Sequence, residues 1–127
     1  MIYGIGTDIV SIVRISRILS GRNSERFIER VLSEHEAAIF NNRGRRANYV
    51  AKRFAAKEAF AKALGTGIGK TVMFDDLTVR NESSGKPFFQ VSEKLRQYLV
   101  EHHIKTAHLS LSDEASHAVA FVVLVKN

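Results

Sequence analysis

ANYVAKRFAAKEAFAKALG, residues 47–65, decides the fold. Alanine is abundant, and apolar residues recur at Val50, Ala51, Phe54, Ala55, Ala59, Ala63 and Leu64, close to helical periodicity. Gly65 is placed to end the helix in a left-handed conformation. The spacing predicts one long helix over 47–64. Two like charges, Arg53 and Lys57, stand four residues apart, an arrangement that costs a few tenths of a kcal/mol in an isolated helix. Glu58 and Lys62 are also four apart, with the acid on the N-terminal side. That pair reads either as a helix-stabilising salt bridge or as a metal-holding carboxylate beside a phosphate-binding lysine. An external anion would also explain why Arg53 and Lys57 tolerate each other.

Upstream, residues 2–13 read as a strand. One face carries Ile2, Gly4, Gly6, Asp8, Val10 and Ile12; the other carries Tyr3, Ile5, Thr7, Ile9, Ser11 and Val13. Two glycines beside a carboxylate leave the backbone open to close approach. Aspartate is depleted in strand interiors, and burying it needs a cation or hydrogen bonds. Asp8 is therefore either a metal ligand approached from the glycine side or a surface residue of an edge strand. Residues 14–42 read as short helices. Ser24 is the candidate cap of one, with Phe27, Ile28, Val31 and Leu32 as its apolar stripe. Ser33 and Glu36 have capping-box spacing for the next, and Asn42–Arg46 form a basic loop.

Downstream, GTGIGKT (65–71) imitates the phosphate loop GxxxxGK[ST]. Its first glycine would fall on Leu64, and the segment closes a helix instead of opening one. Residues 74–80 and 88–91 read as strands joined by a turn over Ser83–Lys86, and Pro87 forbids a central-strand hydrogen bond there. Residues 92–103 read as a helix. Residues 105–112 and 117–125 form a final hairpin, with Ala118–Val125 apolar enough for burial on both faces. In HLSLSDE (108–114), His108, Ser110 and Ser112 share one face, as a polar pocket wall or a solvated sheet face. No GxSxG elbow supports a hydrolase.

The chain has 127 residues, which fits a single domain over 1–127 of α+β class. It contains no cysteine, so disulfides, a thiolate nucleophile and a cysteine zinc site are excluded. The N-terminus is not a signal peptide, no apolar run reaches the ~20 residues of a membrane span, and the expected location is the cytoplasm. The net charge of +6 is uneven. Residues 14–62 hold 12 Lys and Arg against 5 Asp and Glu, whereas the remainder holds 7 against 8. The excess implies an anionic partner. A nucleic-acid module would fit a pI near 9.9, but Trp is absent and aromatic interleaving is lacking. That module would also leave Asp8 unexplained, and a small structural subunit would explain the fold but not the buried-looking charges.

Taken together, GIGTDIVSIVRI (4–15), FIERVLSEHE (27–36), KRFAAKEAFAKALGTGIG (52–69), SGKP (84–87) and HLSLSDE (108–114) resemble, collinearly and over nearly the whole chain, the small bacterial holo-acyl-carrier-protein synthases. These form the short-chain class of 4'-phosphopantetheinyl transferases. Ser84 departs from many members. The resemblance implies that fold, with a mostly antiparallel sheet on a long central helix, assembled as a homotrimer with active sites at subunit interfaces. It implies Mg²⁺-dependent transfer of 4'-phosphopantetheine from coenzyme A to a serine of apo-acyl carrier protein, in fatty acid biosynthesis, with release of adenosine 3',5'-bisphosphate.

By the same resemblance, Asp8 and Glu58 hold the Mg²⁺, and Lys62 contacts phosphate. Coenzyme A contacts fall on Arg53, Lys62, Gly65, Lys86, Pro87 and His108. Arg14 faces the acidic carrier protein, and the basic segment adds Arg22 and Arg26, with Arg17 and Arg30 near them. Two carboxylates suffice for Mg²⁺, which keeps several waters and takes the rest of its shell from substrate phosphates. The base for the serine proton stays open between Glu58 and a metal-bound water.

Overall fold

The computed structural model describes residues Met1–Asn127. Its axis is the predicted helix, labelled α4 here, Ala47–Leu64. Gly65 closes it in the left-handed region (φ 88°), with its N–H donating to the carbonyls of Ala61 and Lys62. Eleven of its 18 residues are buried, so α4 is covered on more than one face, as a helix within a core must be.

Against α4 lies a three-stranded antiparallel sheet in the order β1-β5-β4, made of Ile2–Ser11, His117–Lys126 and Ile104–Asp113. Its inward residues alternate regularly. Gly6 and Val10 of β1, Ala118, Ala120, Val122 and Leu124 of β5, and Leu109 of β4 are buried. Gly4 and Gly6 decide how closely helix and strand approach. A Cβ on Gly6 would stand 1.9 Å from the Ala59 carbonyl oxygen, and one on Gly4 2.0 Å from that of Ala63. The glycine face is therefore occupied by the helix backbone itself, not by a ligand.

The strand expected over 2–13 stops two residues early. The Ser11 side chain accepts from the Arg14 N–H at 3.2 Å and caps α1, Ile12–Leu19. Helix α2 spans Ser24–Val31, with Asn23, not Ser24, at the cap position. Helix α3 spans Glu34–Asn42 and carries the predicted capping box of Ser33 and Glu36. Residues 74–76 wind into a 3-10 turn, after which β2, Leu77–Asn81, pairs antiparallel with β3, Pro87–Val91. Pro87 opens β3 in this two-stranded sheet, where no second partner strand needs the N–H that proline lacks. Helix α5, Glu93–Glu101, leads into β4.

One expectation for β5 fails. Val119 and Phe121 are 37% and 45% exposed, so β5 is not buried on both faces. A single helical layer covers the sheet, and its other face is open in the isolated chain. Val119 and Phe121 share that open face with Ile5, Thr7 and Ile9 of β1 and His108, Ser110 and Ser112 of β4, through the pairings Ile5–Val123–His108, Thr7–Phe121–Ser110 and Ile9–Val119–Ser112.

Candidate active site

Close packing of α4 on β1 places Asp8 and Glu58, fifty residues apart, in the wall of one cleft of about 170 Å³. Asp8 points from β1 to the helix side, because it shares the parity of Gly6 and Val10. Glu58 stands one residue before Ala59, whose carbonyl rests on Gly6. Arg14, held in the first turn of α1 by the Ser11 cap, lines the same cleft. Apart from Ser11 the remaining wall is apolar and includes Ile15, Ile18, Phe27 and Phe54. Phe27 and Phe54 stack with centroids 6.0 Å apart.

Lys62 does not pair with Glu58. Its ammonium donates to Asp8 Oδ1 at 3.0 Å and to the Thr7 carbonyl at 2.9 Å, linking helix to strand. Burial, and then the negative charge of Asp8, push the Glu58 carboxyl above its ordinary range, while Lys62 and Arg30 pull it down. Two crowded carboxylates, one of them partly desolvated, form a site that gains by taking a cation. Hard oxygen donors of this kind suit Mg²⁺. A larger basic hollow of about 450 Å³ beside Arg43, Arg46 and Lys52 has no carboxylate in its lining.

The other candidates lie elsewhere. Arg26 and Arg30 line a hollow that adjoins the cleft through Ile18 and Phe27. Arg30 also sits over the Phe74 ring, 5.4 Å from its centroid. Arg22 is exposed in the turn between α1 and α2. Gly65 is exposed three residues beyond Lys62, and Lys86 and Pro87 lie at the β2–β3 turn. His108 is on the outer face of the sheet, opposite the side to which Asp8 points.

The Arg53–Lys57 pair turns out differently from expectation. Lys57 does not wait for an external anion, whereas Arg53 has no carboxylate partner and its buried Nε has no hydrogen-bond partner within the chain. Lys57 is fully buried, donating to Glu36 Oε1 at 2.6 Å and the Val31 carbonyl at 2.7 Å. Glu36 accepts further from the N–H groups of Ser33 (2.9 Å) and Val79 (2.7 Å), so α2, α3, α4 and β2 meet at one ion pair. Arg53 is 7% exposed, lies 4.0 Å over the Tyr49 ring, and donates to Asn81 Oδ1 at 3.4 Å. The Asn81 amide in turn donates to the Gly85 carbonyl at 2.9 Å. Arg53 thus stands beneath the turn that carries Lys86 and supports it. Sequence reading missed the Glu36–Lys57 pair and the apolar wall; the helical spacing of Ile15 and Ile18 was the available signal for the wall.

The family model of the 4'-phosphopantetheinyl transferase superfamily matches residues 4–122. A holo-[acyl-carrier-protein] synthase of Ruthia magnifica subsp. Calyptogena magnifica is 65% identical over 124 residues, covering 98% of this chain and 97% of that protein. The crystal structure of holo-[acyl-carrier-protein] synthase from Neisseria meningitidis matches with a TM-score of 0.94 at 47% identity, covering 99% of this chain and 100% of that one. The Helicobacter pylori holo-[acyl-carrier-protein] synthase, solved in complex with coenzyme A, matches with a TM-score of 0.83 at 35% identity, covering 95% and 99%. Fold and site together define a phosphopantetheinyl-transferring enzyme. The chain belongs to the 4'-phosphopantetheinyl transferase superfamily, alongside the relatives called holo-[acyl-carrier-protein] synthase.

Proposed function

We propose that this chain transfers 4'-phosphopantetheine from coenzyme A to a serine of apo-acyl carrier protein, with Mg²⁺ held by Asp8 and Glu58, and releases adenosine 3',5'-bisphosphate. The observation that carries the reading is the shared cleft of Asp8, Glu58 and Arg14, in a chain whose relatives include one solved with coenzyme A. The serine oxygen forms a bond to the phosphorus beside the pantetheine arm, and the pyrophosphate bridge breaks. Such a reaction asks for positioning and charge neutralisation more than covalent help. Mg²⁺ would neutralise charge developing on the phosphates.

The chain's own residues divide the remaining work. Lys62, at the mouth of the cleft, meets phosphate oxygens. Arg14 stands where the carrier's serine must enter, and Arg26 and Arg30 extend the cationic edge towards an acidic carrier. Ile15, Ile18, Phe27 and Phe54 offer an apolar floor that keeps water from the reacting atoms. Arg53 supports the turn bearing Lys86 and Pro87, beside which coenzyme A would lie.

His108 cannot join the cleft of its own chain, since it projects from the other face of the sheet. A homotrimer resolves this. The open face, with Ile5 60% and Ile9 65% exposed, supplies the apolar area for subunit contact. Sites at the interfaces would take Asp8 and Glu58 from one subunit and His108 from the next. No helix is long and apolar enough to cross a membrane, and the proposed place of action is the cytoplasm. The test is to incubate the protein with apo-acyl carrier protein, coenzyme A and Mg²⁺ and weigh the carrier. A gain of one phosphopantetheine group is expected; an unchanged carrier mass, with coenzyme A intact, overturns the reading.

A further inference from the structure

Lys62 occupies an unusual position for a phosphate-binding residue. Its ammonium is committed to acceptors inside the protein, Asp8 Oδ1 at 3.0 Å and the Thr7 carbonyl at 2.9 Å. Glu58, one helical turn earlier on α4, is the ordinary partner for such a lysine, yet Lys62 reaches across to the strand. Asp8 is well covered, its side chain 16% exposed, while that of Lys62 is 52% exposed. The lysine therefore sits at the rim on a flexible stem and can leave; the carboxylate cannot. The oxygen it covers belongs to the residue assigned above to the divalent ion.

We propose that Lys62 is an exchangeable cation. It neutralises Asp8 until a divalent ion takes that carboxylate, and it is then released to the pyrophosphate of coenzyme A. This rests on the metal reading of Asp8 and Glu58. Two cations compete for one carboxylate, so metal binding must displace the Lys62 contact. The displaced ammonium, left beside the substrate site without its anion, attracts phosphate. Metal ion and coenzyme A consequently favour each other's binding, and the coupling is reciprocal by linkage. Arg30 also acts on Glu58, but it rests over the Phe74 ring and holds no contact with Asp8.

The experiment titrates Mn²⁺ into the full-length protein without coenzyme A, reading free Mn²⁺ by electron paramagnetic resonance. Wild type, Lys62→Met, Asp8→Asn and Lys94→Met are compared, the last removing a lysine that pairs with Asp76 and has no contact with Asp8 or Glu58. Removing a positive charge within a few ångströms of the ion should tighten Mn²⁺ binding about five-fold or more in Lys62→Met. Lys94→Met should leave it unchanged. Added coenzyme A should strengthen Mn²⁺ binding in wild type and do so less in Lys62→Met. Equal or weaker Mn²⁺ binding in Lys62→Met, with binding lost in Asp8→Asn, overturns the exchange while the metal site stands. Equal tightening in Lys94→Met also overturns it, as a bulk charge effect. Unaltered Mn²⁺ binding in Asp8→Asn overturns the metal site and the exchange with it.

Discussion

Glu58 costs the folded chain stability near neutral pH. Its carboxyl is held above the ordinary range by burial and by Asp8, so the folded chain binds that proton more tightly than the unfolded chain does. Its contribution is complete at pH values below the unfolded pKa of about 4.5 and is lost as pH rises through the folded value. Glu58→Gln removes the charge and keeps the shape. In metal-free buffer the variant should melt a few degrees higher than wild type near neutrality. That advantage should vanish at pH 4, while phosphopantetheine transfer is abolished. Differential scanning calorimetry across pH checks this, and an advantage independent of pH would refute the assignment. Asp8 and Glu58 were legible in the residue pattern as chemical candidates, but only the family resemblance joined them into one site; periodicity says nothing about which strand meets which helix. Lys57 was misread for a related reason. Its partner Glu36 lies 21 residues away, and a fully buried lysine defies the expectation that lysine faces water.

At the scale of elements, α4 was read to its last residue because alanine content, apolar spacing and a glycine stop all agree. Strand β1 was overrun because Val13 and Ile12 are good strand residues, and only the Ser11 cap ends the extended run. The capping box of α3 was legible, since its two side chains bond within one turn. What the pattern hid was the purpose of Gly4 and Gly6. They set the distance between β1 and α4, and with it the separation of Asp8 and Glu58. Gly6→Ala puts a methyl 1.9 Å from the Ala59 carbonyl oxygen and 2.7 Å from the Ala63 nitrogen. The helix must retreat by roughly an ångström or more, and overpacking of this kind costs about 1–3 kcal/mol. Because Ala59 adjoins Glu58, the retreat also opens the carboxylate pair. Turnover should fall about a hundred-fold, as misplacements of this size do, and Mn²⁺ affinity should fall with it in protein that still melts cooperatively. Native Mn²⁺ affinity and turnover in Gly6→Ala would show that the glycines serve packing alone.

For the whole molecule, the open face of the β1-β5-β4 sheet is the decisive feature. Ile5, Ile9, Val119 and Phe121 are each at least 37% exposed on it, and His108 projects from the same side, away from Asp8 of its own chain. If His108 serves the site of a neighbouring subunit, two defects can be repaired by mixing. Asp8→Asn and His108→Ala should each be nearly inactive alone. In a mixed trimer, a site works when its Asp8 comes from a His108→Ala chain and its His108 from an Asp8→Asn chain. Every trimer with two chains of one kind and one of the other contains one such site in three. Co-unfolding and refolding the two variants together should therefore restore about a quarter of wild-type transfer, since three-quarters of randomly assembled trimers are mixed. Mixing the folded variants without unfolding them should restore far less until subunits exchange. If His108 acted within its own chain, every chain would keep one defect, and refolded mixtures would stay as inactive as their parents. Phe121→Glu sharpens the test, because a charge on the apolar face should yield a chain that sediments as a monomer and shows no complementation.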